Sequence, residues 1–143
     1  MSDVCCLTII FRKDELKKFN EVLKDQIHNE TFWDNEYTGE TEIVATIYEA
    51  NYGWQNELQE LTEAGLTFHG DHAEGGDYGS CTFASYGGEY QEVPTNRDAC
   101  PVVAIGEDLQ VAPSDLDDIK KYWELNRKAE KYIERQKEDI TSA

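Results

Sequence analysis

The residues best equipped for chemistry lie between positions 69 and 81. His69-Gly70-Asp71-His72, followed by Glu74, Asp77 and Cys81, gathers two imidazoles, three carboxylates and a thiol, and donors of these types bind zinc or a harder divalent ion. The metal set offered by the sequence is His69, Asp71 and His72. Their spacing is no zinc signature, since it contains neither a helical i, i+4 histidine pair nor a Cys-x-x-Cys pair. Two histidines among glycines read more readily as solvated loop residues, whose charged form the neighbouring carboxylates favour. A cysteine nucleophile, Cys81 or Cys100 beside His69 or His72, is the next arrangement to weigh. A strongly negative surface raises a thiol's pKa, and cysteines are most often simply buried. Gly75-Gly76-Asp77-Tyr78-Gly79-Ser80 has the glycine content of a phosphate cradle, but it lacks a lysine and places Asp77 where an anion would sit. Among 30 acids no carboxylate pair stands out as a general acid and base. No cofactor is implied.

These residues need elements to position them. The run at 4–11 is almost wholly apolar and β-branched, which predicts a central strand covered on both faces. Asp14 stands where an N-cap would, and Leu16, Phe19, Val22, Leu23 and Ile27 carry a helical period to about His28. Residues 29–41, with Trp33 and Tyr37, read as a loop, and residues 42–50 as a second strand. After Tyr52 and Gly53 a short helix places Trp54, Leu58 and Leu61 on one side and stops at Gly65. Residues 66–68 are extended, and 69–79, with four glycines, read as a flexible loop. Residues 80–86 and 89–93 flank Gly87-Gly88 as a hairpin, and a further strand is expected at 101–105. A last helix opens near Pro113 and runs to about Lys137 with the stripe Leu116, Ile119, Trp123, Asn126, Ala129 and Ile133, leaving 138–143 frayed. The expected architecture is one α+β domain over residues 1–143, ordered β-α-β-α-β-β-β-β-α, with helices packed on a mixed or mainly antiparallel sheet. A chain of 143 residues buries roughly 68–70% of its unfolded surface, so one core suffices.

Charge is the larger signal. Residues 29–119 hold 20 acids and one base, Arg97, whereas residues 1–28 are neutral and 120–143 carry a net +2, which together give the total of −17. Glu57, Glu60 and Glu63 at helical spacing repel one another by a few tenths of a kcal/mol, so the fold gains nothing from them. Direct binding to nucleic acid is disfavoured, and a basic protein partner is favoured. Carboxylates at the ~5–6 Å spacing of helical neighbours can present a row comparable to a phosphate backbone. The candidate contacts are Glu40, Glu42, Glu57, Glu60, Glu63, Asp71, Glu74, Asp77, Glu89 and Glu92, with Trp33, Tyr37, Tyr52 and Tyr78 as aromatic anchors. In the last helix, Lys120, Lys121, Arg127, Lys128, Lys131, Arg135 and Lys137 alternate with glutamates, which is a salt-bridged surface, although its apolar stripe also offers a homodimer contact.

In composition the chain resembles the small acidic anti-defence proteins of phages and mobile elements. Those proteins block restriction or CRISPR nucleases by occupying their nucleic-acid-binding surfaces. The resemblance implies a non-enzymatic inhibitor lodged in a basic groove of a nuclease or defence complex. The alternatives are a small metal-dependent or thiol enzyme using His69, Asp71, His72 and Cys81, and an accessory domain without a charge-specific partner. No apolar run approaches the ~20 residues of a membrane span, and residues 4–11 lack the basic lead-in of a signal peptide. A cytoplasmic protein with four free thiols is expected.

Overall fold

Apolar side chains on both sides of residues 4–12 demand two covering layers, and the fold supplies them. The computed structural model describes residues 4–23, 34–38, 41–51, 54–75, 79–96 and 98–134. Strand β1 (Val4–Arg12) lies inside a six-stranded antiparallel sheet. The other strands are β2 (Asp34–Thr38), β3 (Glu42–Asn51), β4 (Phe68–His72), β5 (Cys81–Tyr86) and β6 (Glu89–Pro94), in the spatial order β2-β3-β1-β4-β5-β6. Helices α1 (Leu16–Leu23) and α2 (Gln55–Glu63) cover one face, and α3 (Pro113–Glu134) crosses the other. This is the α+β architecture expected from the sequence.

The larger core lies under α1 and α2. Leu7, Ile9 and Phe11 of β1 meet Phe19 and Leu23 of α1, Leu58 and Leu61 of α2, and Phe68 and Phe83, all at most 1% exposed. Phe11 stacks on Phe19 with ring centroids 4.3 Å apart, and each such side chain contributes about 1.5–3 kcal/mol by leaving water. Trp54 enters α2 with a left-handed φ of 61°, a strain of about 1–3 kcal/mol that its buried indole offsets. Polar links fix α2 further: Thr62 reaches Ser85 at 3.1 Å, and Ser85 donates to the Leu66 carbonyl at 3.0 Å.

On the opposite face Ala84 and Val93 pack beneath Tyr122 and Leu125. Thr82 donates to the Gly70 carbonyl at 3.0 Å, so the Tyr122 hydroxyl, 2.8 Å away, is the donor to Thr82. Arg12, 3% exposed, ties the far end of α3 to β1. Its Nε meets the Asp14 carboxylate at 2.9 Å, its Nη1 donates to the Tyr132 carbonyl at 2.8 Å, and its guanidinium lies 5.5 Å from the Tyr132 ring centre. Asp14 is therefore not an N-cap but the partner of Arg12, inside a 3-10 turn at Lys13–Glu15.

The remaining differences from expectation have local causes. The loop read at 29–41 contains β2, whose polar sequence shows no apolar alternation because, among the described residues, it is an edge strand paired only with β3. The loop read at 69–79 begins after His72 instead, because residues 68–72 form β4 between β1 and β5. Gly70 there serves close packing, since an added Cβ would run into the Thr8 carbonyl oxygen. The strand expected at 101–105 is reduced to one bridge, Thr95 to Pro101, and one backbone bond from Val102 to Pro94. Ala99 bends the chain with a φ of 61°, and Pro101 has no N–H to extend a ladder. The Gly87-Gly88 hairpin is as expected, with φ of 61° and 83°. In α3 the buried side is Tyr122, Leu125, Asn126, Ala129 and Ile133, while Leu116 and Trp123 of the expected stripe are exposed. Residues 24–28 and 138–143 lie outside the described residues. Among the described residues no helix is long and apolar enough to cross a membrane.

Candidate functional site

Strand alternation decides which of the chemical residues can meet. Along β4, Gly70 and His72 point under α2, while His69 and Asp71 point to the α3 face. His69, Asp71 and His72 therefore cannot converge on one ion. His69 also departs from expectation in its titration: burial against α3 pushes its pKa below the ordinary value, outweighing Glu130 and Glu134, which act the other way. The pKa of Asp71 is raised, chiefly by partial desolvation beside the sheet, despite the opposing effect of His72.

What the sheet does bring together is His72, Cys81 and Glu92, whose ligand atoms all lie within 4.8 Å of one another. His72 pairs directly with Cys81 across β4 and β5, and Glu92 is diagonal to Cys81 on β6. The ring Nδ1 of His72 lies 2.9 Å from the Ala73 carbonyl and must donate to it, which leaves Nε2 as the ring atom with the lone pair. Tyr90 donates to Glu92 Oε1 at 3.2 Å. Burial, then the Glu92 charge and a hydrogen bond to it, push the Cys81 thiol up to about 12. At neutral pH it is a thiol, which opposes a thiolate nucleophile at this position. Cys100 is exposed and belongs to no such cluster among the described residues.

On the α3 side of the same sheet end is a cleft of about 670 Å³, into which Cys6, Thr8, Asp71, Glu74, Ser80 and Asn96 face. Ser80 donates to the Thr95 carbonyl at 3.0 Å and closes its floor. Ala99 forms part of the wall, so the cleft runs into the segment joining β6 to α3. That segment is the most unusual surface described. Val102, Ile105, Leu109 and Leu116 are 38%, 61%, 80% and 53% exposed. Around them residues 98–118 hold six acids, Asp98, Glu107, Asp108, Asp115, Asp117 and Asp118, and no base. The first six residues of α3 are all exposed, because the helix meets the sheet only from Ile119 and Tyr122 onward. Its opening turns form a ledge beyond the β6 edge.

The acids expected to bind a partner do not share one face. Glu57, Glu60 and Glu63 lie on α2, and burial with Glu60 nearby raises the pKa of Glu57. Asp71 and Glu74 border the cleft, Glu42 is half-buried on β3, and Glu89 pairs with Lys121 at 3.9 Å on the α3 side. Glu92 faces the opposite side from Glu89 and holds Tyr90. Tyr37 lies in β2, described by its backbone alone, and Trp33, Glu40, Tyr52, Asp77 and Tyr78 lie outside the described residues. The ledge was missed because residues 101–105 read as a strand of the sheet and Leu116 as part of the apolar stripe of the last helix. Its legible signal was the run of acids at 107–118 without a base.

Compared with known protein families, with curated proteins and with solved structures, the chain finds no match.

Proposed function

We propose that this chain is a non-enzymatic binding module that occupies a basic groove of a partner protein, of the kind that holds nucleic acid. The observation that carries the reading is the ledge of residues 98–118, where exposed Ile105, Leu109 and Leu116 stand among six acids and no base. Charge complementarity brings a basic surface to it, and the apolar side chains supply the contacts that desolvate. A surface meant only for solubility has no use for leucines at its most acidic point, because exposed apolar groups work against solubility. Asp71 and Glu74 extend the acidic surface into the adjoining cleft.

The test is capture on the immobilised chain of a nucleic-acid-binding protein that duplex DNA displaces and that roughly 0.3–0.5 M salt releases. Asp115→Asn, Asp117→Asn and Asp118→Asn together, and separately Leu109→Ser with Leu116→Ser, are expected to raise its Kd more than tenfold, or about 1.4 kcal/mol. Capture that survives both variants, or that DNA does not displace, refutes the reading.

A further inference from the structure

We propose that His72, Cys81 and Glu92 form a zinc site that clamps β4, β5 and β6 together under α2. The geometry is that of a site three ligands deep. Zinc at about 2.0–2.3 Å from nitrogen, oxygen and sulfur sets neighbouring ligand atoms about 3.5 Å apart. The three donor atoms here, within 4.8 Å of one another, reach that by side-chain adjustment of about an ångström. The strands that carry them are locked in register by continuous antiparallel pairing, so the backbone holds the three positions without the ion.

The donor set selects the metal. One thiolate and one imidazole exclude calcium and magnesium, which take oxygen ligands, and favour zinc among the borderline ions. Two of the ligands are already oriented from behind in the way metal ligands are. The Ala73 carbonyl fixes the His72 ring through Nδ1 at 2.9 Å, and the Tyr90 hydroxyl holds Glu92 at 3.2 Å. Charge balances as well: a thiolate, a carboxylate and a neutral imidazole sum to −2 and cancel a divalent ion. In the ladders Leu7 lies opposite His72 and Phe83 opposite Glu92, so the ligands stand beside buried apolar side chains. Three protein ligands leave the fourth position to water.

The site is independent of the ledge, and its test does not involve a partner. Full-length protein freed of metal by chelator is titrated with Co(II), then with Zn(II) against a chromophoric competitor. One equivalent of Co(II) is expected to give visible ligand-field bands of a tetrahedral ion and a thiolate-to-metal charge-transfer band in the near ultraviolet. Zn(II) should displace it. Cys81→Ser, its fold checked by circular dichroism, loses the charge-transfer band, while Cys6→Ser with Cys100→Ser keeps it. Tyr90→Phe, which removes only the outer hydrogen bond, weakens Zn(II) about 10–100-fold. A wild-type protein without the thiolate band overturns the proposal, and so does a band lost in the Cys6 and Cys100 variant. The wild-type spectrum, that double variant and Cys5→Ser, which also keeps the band, decide the matter even if Cys81→Ser does not fold; a band lost with Cys5 instead overturns it.

Discussion

Gly70→Ala separates the two readings of residues 69–72 by the sign of its effect. In a flexible loop the substitution narrows the unfolded ensemble and stabilises by about 0.4–1 kcal/mol. In β4 the new methyl meets the Thr8 carbonyl oxygen of the neighbouring strand and comes to 3.0 Å from the Phe83 ring. Neither contact is with a flexible side-chain end, and β4 has β1 on one side and β5 on the other, so it cannot shift without breaking a ladder. Overpacking of this kind costs about 1–3 kcal/mol, and the backbone contact puts this case at the upper end. With an m-value of about 2 kcal/mol/M in urea, the midpoint should fall by about 1–1.5 M while m stays constant. An unchanged or raised midpoint refutes the close approach of β4 to β1, and with it the register that aligns His72 with Cys81.

Three further outcomes follow from single groups. Thr46, 1% exposed, buries a hydroxyl without a hydrogen-bond partner among the described residues, so Thr46→Val should raise stability by about 1 kcal/mol in the same urea assay; a lowered midpoint would show that the hydroxyl is satisfied. The folded pKa of Glu57 is raised, so the folded state takes up its proton first, and stability from this group increases as pH falls through that raised value to the ordinary 4.5. Glu57→Gln should remove that increment, so equal midpoint shifts between pH 7 and pH 4 in wild type and variant count against it. Alkylation at pH 8 followed by mass spectrometry should modify exposed Cys6 and Cys100 before buried Cys5 and half-buried Cys81, whose thiol is pushed up to about 12; labelling of Cys81 as early as Cys6 and Cys100 contradicts that shift.

Much of the fold was legible because it rests on local patterns. The apolar run of β1, the period of α1 and the Gly87-Gly88 turn each state their own conformation. β2 was not legible, since Asp34–Thr38 is a strand only through β3 beside it. Gly70 carried a loop signal for a tertiary reason, the approach of another backbone. The site was harder still. His72 and Cys81 were both candidates, but which of their neighbours join them depends on alternation and register. Those send His69 and Asp71 to the far face and bring Glu92 from eleven positions downstream of Cys81. Leu116 fits the helical period as well as any core residue, and it is exposed because α3 starts before the sheet does.

Both rims of the sheet, β2 and β6, are acidic: Asp34 and Glu36 on one, Glu89 and Glu92 on the other, with Pro94 ending β6. A rim strand offers unpaired amide groups to any second copy that approaches, and two such rims would let the sheet grow without limit into a ribbon of molecules. The net charge of −17 repels an approaching copy, and Pro94 withholds an amide where the β6 rim ends. The range of that repulsion is set by the ionic strength of the solution. Light scattering should find particles that stay single in dilute buffer and begin to associate edge to edge as salt rises or as pH falls toward the isoelectric point of about 4.4.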